Sequence, residues 1–328
     1  MTRVDVAREA GTSVAVVSYV VNGGPRPVAK STRERVLAAI EAVGYTPNSI
    51  AQALASGVSG AYGLIVPDIS NPFFAELAHE LEEVLSTHGK VLLLGDSSES
   101  KVREQALLKM FLQRQIDGIL FIGVDSDADV QPAIDAGVQV VMLDRVDHRG
   151  SVSSVAVDNV AGARAATEHL IGHGYTRIGI IAGPPHLFTA GDRRGGWQSA
   201  MDAAALPVEP RWCLEADFSR RGGLDAGRRL FAADALPEAI FTSNEQQAVG
   251  VLVAAAEHGI RVPEDLAIIT FDGTDDSEFS IPAISTVMQP LKDIAQAAVD
   301  LLTRPRDAGV VHKTCNFSLR LRTSCGQH

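Results

Sequence analysis

Polar residues that follow directly on apolar runs are where this chain could do chemistry. Asp144 and Arg145 follow the run that ends at Leu143, Asn244 comes just after Phe241, and Asp272 follows Phe271. Each run reads as a buried strand, and open parallel sheets bind ligands in the crevice beyond their strand ends. Carboxylates, an amide and a planar guanidinium there pair with neighbouring hydroxyls, while an aromatic ring such as Phe73 or Phe218 stacks on the apolar face of a sugar or a base. The chemistry indicated is recognition of a small molecule, with no bond made or broken. Other roles stay open for the same side chains: Asp144 can cap a turn or pair with Arg145, and Phe73 and Phe74 can be core.

Patterns that would signal catalysis are missing. His79-Glu80-Leu81-Glu82-Glu83 begins like a zinc-protease helix but has no second histidine one turn on, so a charged helix face is the better reading. No G-x-G-x-x-G, Walker loop or G-x-S-x-G occurs, and Gly195-Gly196 and Gly222-Gly223 precede no phosphate-binding pattern and read as turns. The expectation is a non-enzyme with no catalytic residue, metal or cofactor. Three cysteines, Cys213, Cys315 and Cys325, are odd in number and widely spaced, which fits reduced, unpaired thiols. No apolar run approaches the roughly 20 residues a membrane helix needs. Asp5, Arg8 and Glu9 interrupt any apolar signal region, so a cytoplasmic protein is expected.

The elements that must hold these groups form an alternating series after about residue 60. Strand-like runs at 62–66, 90–94, 118–122 and 138–143 alternate with helical stretches at 73–88, 101–114 and 130–136. A second series follows, with helices at 159–173, 193–204, 224–231, 246–258 and 291–302 and strands at 178–181, 239–241 and 266–270. Alternation of this kind implies mostly parallel sheets, here in two units. With 328 residues, 46% of them hydrophobic, the chain can bury sizeable cores.

The first 46 residues are different. Thr2 and Asp5 form a capping box ahead of Val4, Ala7 and Ala10, ending at Gly11. Ser13 caps a second helix, Val14 to Asn22, with Val17, Val20 and Val21 inward and Val14, Ala15, Ser18 and Tyr19 outward. Two short helices on a tight glycine turn make a helix-turn-helix. A third helix starts at Ser31 with another capping box and carries Val36, Leu37, Ile40 and Val43 until Gly44. The net charge of -11 resides beyond this head, in which Arg3, Arg8, Arg26, Lys30, Arg33 and Arg35 stand against Asp5, Glu9, Glu34 and Glu41. A weakly basic head makes few phosphate contacts, so two heads acting together are expected. Residues 45–57 could form two helical turns but have almost no apolar face; such a segment is marginal in water and orders against a partner.

Taken in order, Asp5-Val6-Ala7, Val17-Ser18-Tyr19-Val20-Val21-Asn22, Arg33-Glu34-Arg35-Val36, Gly44-Tyr45-Thr46-Pro47-Asn48 and Asn71-Pro72-Phe73-Phe74 give the chain a likeness, from its first residue to about Ser324. It resembles the lac repressor (LacI/GalR) family of bacterial transcription regulators. The resemblance implies an all-α helix-turn-helix DNA-binding head plus an α/β two-lobed, periplasmic-binding-protein-like sensor built on two doubly wound parallel sheets. The corresponding divisions are 1–46 for the head, 47–60 for a hinge helix and linker, and 61–324 for the effector-binding and dimerisation part. Within it the N-lobe takes about 61–157 plus part of the C-terminal segment and the C-lobe about 158–286, with some three crossings between lobes and the last near 286–290.

By the same resemblance Val14 and Ala15 meet base edges, Ser18 and Tyr19 do so a turn later, Ser13 and Asn22 touch phosphates, and Asn48 and Leu54 serve in the hinge. Val14 and Ala15 can offer only apolar contact, for instance to thymine methyls. Leu54 wedges between base pairs from the minor groove. Arg193, three residues before Gly196-Trp197, matches the ligand-clamping arginine, and Asn71, Phe73, Phe74, Asp144, Phe218, Asn244 and Asp272 join it as effector-binding residues. The chain departs from the family at Gln52, where Arg or Lys is usual, and at Glu245, where Asp is usual. The function so implied is a ligand-responsive, sequence-specific transcription regulator, of the repressor type, that binds an inverted-repeat operator in double-stranded DNA as a homodimer. Its effector is expected to be a sugar first, then a purine, nucleoside or sugar phosphate. The alternative is a solute-binding protein serving a transporter. No leucine-rich heptad follows Ser324, which favours a dimer over a tetramer.

Overall fold

The structure, a computed structural model, describes residues 1–22, 27–46, 58–146, 150, 152–233, 235–305 and 307–326. Asn48 and Leu54, and the side chain of Asn22, lie outside the described residues.

The head holds α1 (Arg3–Glu9), α2 (Val14–Asn22) and α3 (Lys30–Val43). The Thr2–Asp5 capping box forms in full, and the Val16 N–H donates to Ser13 Oγ at 3.3 Å, so Ser13 caps α2. The box expected at Ser31 does not form: α3 starts one residue earlier, with Ala29 at its cap and no side-chain bond there. Gly44, at φ 62°, ends α3 in the left-handed conformation that favours glycine. A small core gathers Val6, Ala7, Ala10, Val17, Val20, Val36 and Ala39. The buried residue of α1 is therefore Val6 rather than Val4, and Leu37 is exposed, Ala39 taking its place inside. Ala7, Ala10, Val36, Ile40 and Val43 keep their inward places, so each stripe stays where it was expected and only one member changes: Val6 lies one turn before Ala10, and Ala39 lies one turn after Val36 and one turn before Val43.

The rest of the chain forms two six-stranded sheets. The first runs β11-β5-β4-β3-β1-β2, from β1 (Ala61–Val66), β2 (Val91–Asp96), β3 (Gly118–Phe121), β4 (Gln139–Leu143), β5 (Ser153–Val157) and β11 (His312–Cys315). The second runs β12-β10-β9-β8-β6-β7, from β6 (Ile178–Ala182), β7 (Cys213–Glu215), β8 (Ala239–Thr242), β9 (Ala267–Asp272), β10 (Ser285–Met288) and β12 (Ser318–Arg320). All pairings are parallel except β10 with β12. Central strands such as Gly118–Phe121 and Ala267–Asp272 are buried along their whole length, as sheets covered by helices on both faces require.

Three helices belong to the strands of the first sheet by position, α4 (Pro72–Thr87), α5 (Lys101–Gln113) and α6 (Gln131–Asp135). The second sheet has α7 (Asn159–Gly172), α8 (Phe188–Ala203), α9 (Arg220–Phe231), α10 (Glu245–Glu257) and α11 (Asp275–Phe279). After β10 the chain returns: α12 (Leu291–Leu302) packs on α4 and on β4 and β5, β11 joins the first sheet, and β12 goes back to the second. The connections between lobes thus lie between β5 and α7, β10 and α12, and β11 and β12, so the crossing expected to be the last, near 286–290, is the second, and the last falls between Cys315 and Ser318 because β12 pairs with β10. Gly195-Gly196 and Gly222-Gly223 are not turns but lie inside α8 and α9. Among the described residues no helix is long and apolar enough to cross a membrane.

Candidate functional site

Strand ends from both sheets converge on one crevice. Asp144 follows β4, Asp272 ends β9, and Asn244 caps α10 just after β8. Asn71 caps α4, its Oδ1 accepting the Phe73 N–H at 3.1 Å, which turns Phe73 and Phe74 under the same opening. Arg193 comes from the second turn of α8 and Phe218 from the loop after β7. All eight residues assigned to effector binding from the sequence line this one cavity, together with Arg145 and Thr189. Thr189 escaped sequence reading, although it sits one helical turn before Arg193 and so on the same face of α8.

Arg193 is the centre of the arrangement. It is buried, 3% exposed. Its Nε donates to Asn159 Oδ1 at 2.8 Å and its Nη1 to the Ser243 carbonyl at 2.7 Å. Nη1 lies 3.5 Å from Asp272 Oδ1 and Nη2 lies 3.9 Å from Asp144 Oδ1. The guanidinium carbon stands 3.9 Å from the centroid of the Phe271 ring, a cation-π contact that fixes its plane. Asn159, at the start of α7, and Ser243 therefore aim the arginine at the carboxylates. The closest ion pair is Arg193 with Asp272; Asp144 is held more loosely.

Burial pushes the Asp272 carboxyl above the usual carboxylate range, against the pull of Arg193, and the nearby Asp144 adds to the rise. Gln289 Nε2 donates to Asp272 Oδ1 at 3.1 Å. Backbone φ is 55° at Asp144 and 105° at Asp272, both in the region that favours glycine. Such strain persists where the surroundings over-determine it, as the two ends of β4 and β9 do here, and costs on the order of 1–3 kcal/mol per residue.

Glu245, where the resemblance implies Asp, turns away from the cavity. Its Oε2 accepts the N–H groups of Gly273 at 3.0 Å and Thr274 at 2.8 Å, and its Oε1 accepts the Thr274 hydroxyl at 2.9 Å. The longer side chain thereby clamps the turn that follows Asp272. Burial raises its pKa to about 7, with Thr274 opposing and Asp272 adding. Asn244 keeps its place: its Oδ1 accepts the Gln247 N–H at 3.0 Å while Nδ2 faces the Phe218 carbonyl at 3.4 Å. Gly183 makes room for Phe218, since a Cβ there would meet the ring at 2.2 Å.

Phe73 and Phe74 pack edge to face at 5.4 Å between centroids and are at once core and lining. Arg145 is largely spoken for. Nη1 donates to the carbonyls of Gly123 and Val124 at 2.9 and 3.0 Å, and Glu99 pairs with Nη2 at 3.2 Å. Asp144 is thus not paired with Arg145 but faces Arg193. The cavity measures about 20 Å³, room for about one water.

In the head, Val14 and Ala15 stand exposed at the start of α2, Ser13 is exposed at its cap, and Ser18 and Tyr19 are half-buried one turn on. The row Val14, Ala15, Ser18 and Tyr19 occupies the face of α2 opposite Val17 and Val20.

A model of bacterial regulatory proteins of the lacI family matches residues 3–48, and one of a periplasmic binding protein-like domain matches residues 167–325. Catabolite control protein A of Priestia megaterium is 36% identical over 93% of this chain and 92% of its own length. Among solved structures, the lac repressor dimer bound to operator and the anti-inducer ONPF superposes with a TM-score of 0.86, at 27% identity, over 100% of this chain and 99% of that one. A transcriptional regulator CelR-cellobiose complex superposes with a TM-score of 0.73, at 28% identity, over 99% of both chains.

Proposed function

The chain belongs to the LacI family of bacterial regulatory proteins, and from that membership we propose that it represses transcription by binding an inverted-repeat operator as a dimer and that a neutral, hydroxyl-rich effector, a mono- or disaccharide, controls it. The lac repressor match is a dimer on its operator, and the CelR match is a cellobiose complex. The relatives are transcription regulators rather than enzymes, and a solute-binding protein would have no use for the head. The protein works in the cytoplasm, where its DNA is.

The observation that carries the effector class is the charge balance of the crevice. Asp144 and Asp272 present two carboxylates against the one guanidinium that faces them, that of Arg193, since Arg145 is engaged with Glu99 and two carbonyls. Carboxylates accept from vicinal hydroxyls while the guanidinium donates to ring or hydroxyl oxygens, and Phe73 and Phe218 cover an apolar sugar face. A phosphate brought there would meet like charge at close range in a low-dielectric site. At about 20 Å³ the cavity admits no sugar as it stands, so binding requires the lobes to part or re-set around the ligand. Effector binding thereby selects one lobe arrangement, which is what linkage to operator affinity demands.

A thermal-shift screen against neutral sugars, nucleosides and sugar phosphates tests this. A ligand that binds only the folded state at a hundred times its Kd adds about 2.7 kcal/mol. The expected result is a rise in transition temperature with a neutral sugar, abolished in Arg193→Ala. That variant leaves two carboxylates without their cation and starts from a lower baseline, so the readout is the ligand-induced shift of each protein against itself. A response confined to phosphorylated compounds or nucleosides would overturn the proposed effector class.

A further inference from the structure

His169 and His173 lie one turn apart at the C-terminal end of α7, the spacing that places two imidazoles on one face of a helix. The chain returns to this place more than a hundred and fifty residues later, in the terminal turn Thr323–Cys325. Nδ1 or Nε2 of each histidine and Sγ of Cys325 all lie within 4.8 Å of one another. Cys325 Sγ is 3.4 Å from His169 Nε2. Two ligands of one tetrahedral zinc, at a Zn–S length of about 2.3 Å and a Zn–N length of about 2.05 Å, stand roughly 3.6 Å apart. The thiol and the first imidazole already have that separation.

The thiol is built in rather than left at a loose end. Ser324 N–H donates to the Ala283 carbonyl at 3.1 Å, Ser324 Oγ to the Ile268 carbonyl at 2.6 Å, and the Ser285 N–H donates to Ser324 Oγ at 2.8 Å, so β9 and β10 hold the turn on both sides. The Cys325 thiol donates to Ser285 Oγ at 3.0 Å, and Ser285 Oγ in turn donates to the Arg322 carbonyl at 3.0 Å, which fixes where Sγ sits. Tyr175 stacks on the His173 ring at 6.2 Å and reaches the Cys325 carbonyl at 3.4 Å through its hydroxyl. The Cys325 side chain is buried, His169 is half-buried and His173 is exposed, so the cluster opens to solvent through its outermost member.

We propose that His169, His173 and Cys325 form a Zn²⁺ site, with a water in the fourth position on the solvent side. A thiolate with two imidazoles is a donor set for zinc rather than for calcium or magnesium, which take oxygen ligands. Binding displaces the thiol proton and needs only a small closure of His173 toward Sγ. Bound zinc ties the chain's last turn to α7, whose other end carries Asn159, the residue that aims Arg193. The site thus stabilises the C-lobe independently of what occupies the crevice.

Tag-free protein stripped with a chelator and titrated with Zn²⁺ against a chromophoric chelator gives affinity and stoichiometry, and Co²⁺ in its place reports the donor set by absorption. The expected outcome is one Zn²⁺ per chain, a thiolate-to-cobalt charge-transfer band in the near ultraviolet, and a raised thermal transition. Cys325→Ser removes the band. His173→Ala, at an exposed position where folding is not at stake, weakens binding at least about tenfold. Substoichiometric zinc, cobalt bound with no sulfur band, or affinity unchanged in both variants overturns the site and leaves a cysteine that hydrogen-bonds a histidine.

Discussion

Arg193 is held by neutral partners, Asn159 and the Ser243 carbonyl, and directed at charged ones, so its position does not depend on the carboxylates it serves. That division suits a clamp whose charges must exchange one partner for another when a ligand arrives. Glu245 has a different task at the same site, closing the turn after Asp272 with three accepted hydrogen bonds while buried beside a second acid. Its folded-state pKa of about 7 lies above the ordinary value of 4.5. A raised pKa means the folded protein binds the proton more tightly than the unfolded chain does. The associated stability is present in full below the unfolded value and lost as pH rises through 7. Glutamine can keep the geometry, its oxygen accepting from Gly273 and Thr274 and its NH₂ donating to the Thr274 hydroxyl, without a charge to desolvate. Urea unfolding of wild type and Glu245→Gln at several pH values should show wild type losing on the order of 3 kcal/mol relative to the variant between pH 4.5 and 8. Parallel curves across that range would mean that Glu245 ionises as freely in the fold as in the unfolded chain.

The helices that carry these residues pack through glycine. A Cβ on Gly196 of α8 would meet the Val160 carbonyl at 2.3 Å and Ala163 Cβ at 2.9 Å on α7, whereas one on its neighbour Gly195 meets nothing within 4 Å. The two positions are therefore opposite tests of one helix. Gly195→Ala should stabilise by about 0.5–1 kcal/mol through helix propensity, while Gly196→Ala should cost about 1–3 kcal/mol by prising α7 from α8. It should also weaken effector binding, because Asn159 and Arg193 sit on the two helices being separated. Calorimetry and ligand titration of the pair check both signs.

The same residues show what the sequence could tell. A Gly-Gly pair reads as a turn locally; only the facing helix reveals that one member is a contact and the other is not. Long apolar strands such as Ala267–Asp272 and the capped helices were legible because period and cap are local. Ser153–Val157, Cys213–Glu215, Ser285–Met288, His312–Cys315 and Ser318–Arg320 were not, being three to five residues long and each interrupted by polar residues. Their strand state comes from the neighbours they pair with, as where Ser153 Oγ accepts the Val311 N–H at 3.1 Å. The start of α8 at Phe188, one turn ahead of where its pattern begins, hid Thr189 for a related reason: Leu187 caps it without a side-chain bond. Strand-end chemistry was readable because the crevice rule needs only strand order, whereas the meeting of Cys325 with His169 depends on a late crossing of the chain that no local pattern encodes.

At the scale of the whole molecule the proposed control is a linkage between two binding equilibria, and it makes a demand on both. If an effector changes operator affinity by some factor, the operator must change effector affinity by the same factor, with about 1.4 kcal/mol of coupling for each tenfold. Residues that act only on DNA must then leave the effector equilibrium of the free protein alone. Leu54 is such a residue on the proposal that it wedges into the minor groove, where loss of the wedge forfeits the bend and the contacts the bend allows. Leu54→Ala should weaken operator binding by about tenfold or more, measured by fluorescence anisotropy at fixed salt. The effector Kd of DNA-free protein, read by titration calorimetry, should be unchanged, because the crevice is built entirely from residues between Asn71 and Asp272. Unaltered operator affinity would remove Leu54 from the DNA contact. A shifted effector Kd without DNA would mean instead that Leu54 packs on the sensor and biases its lobes directly, which places the coupling within the protein rather than through the operator.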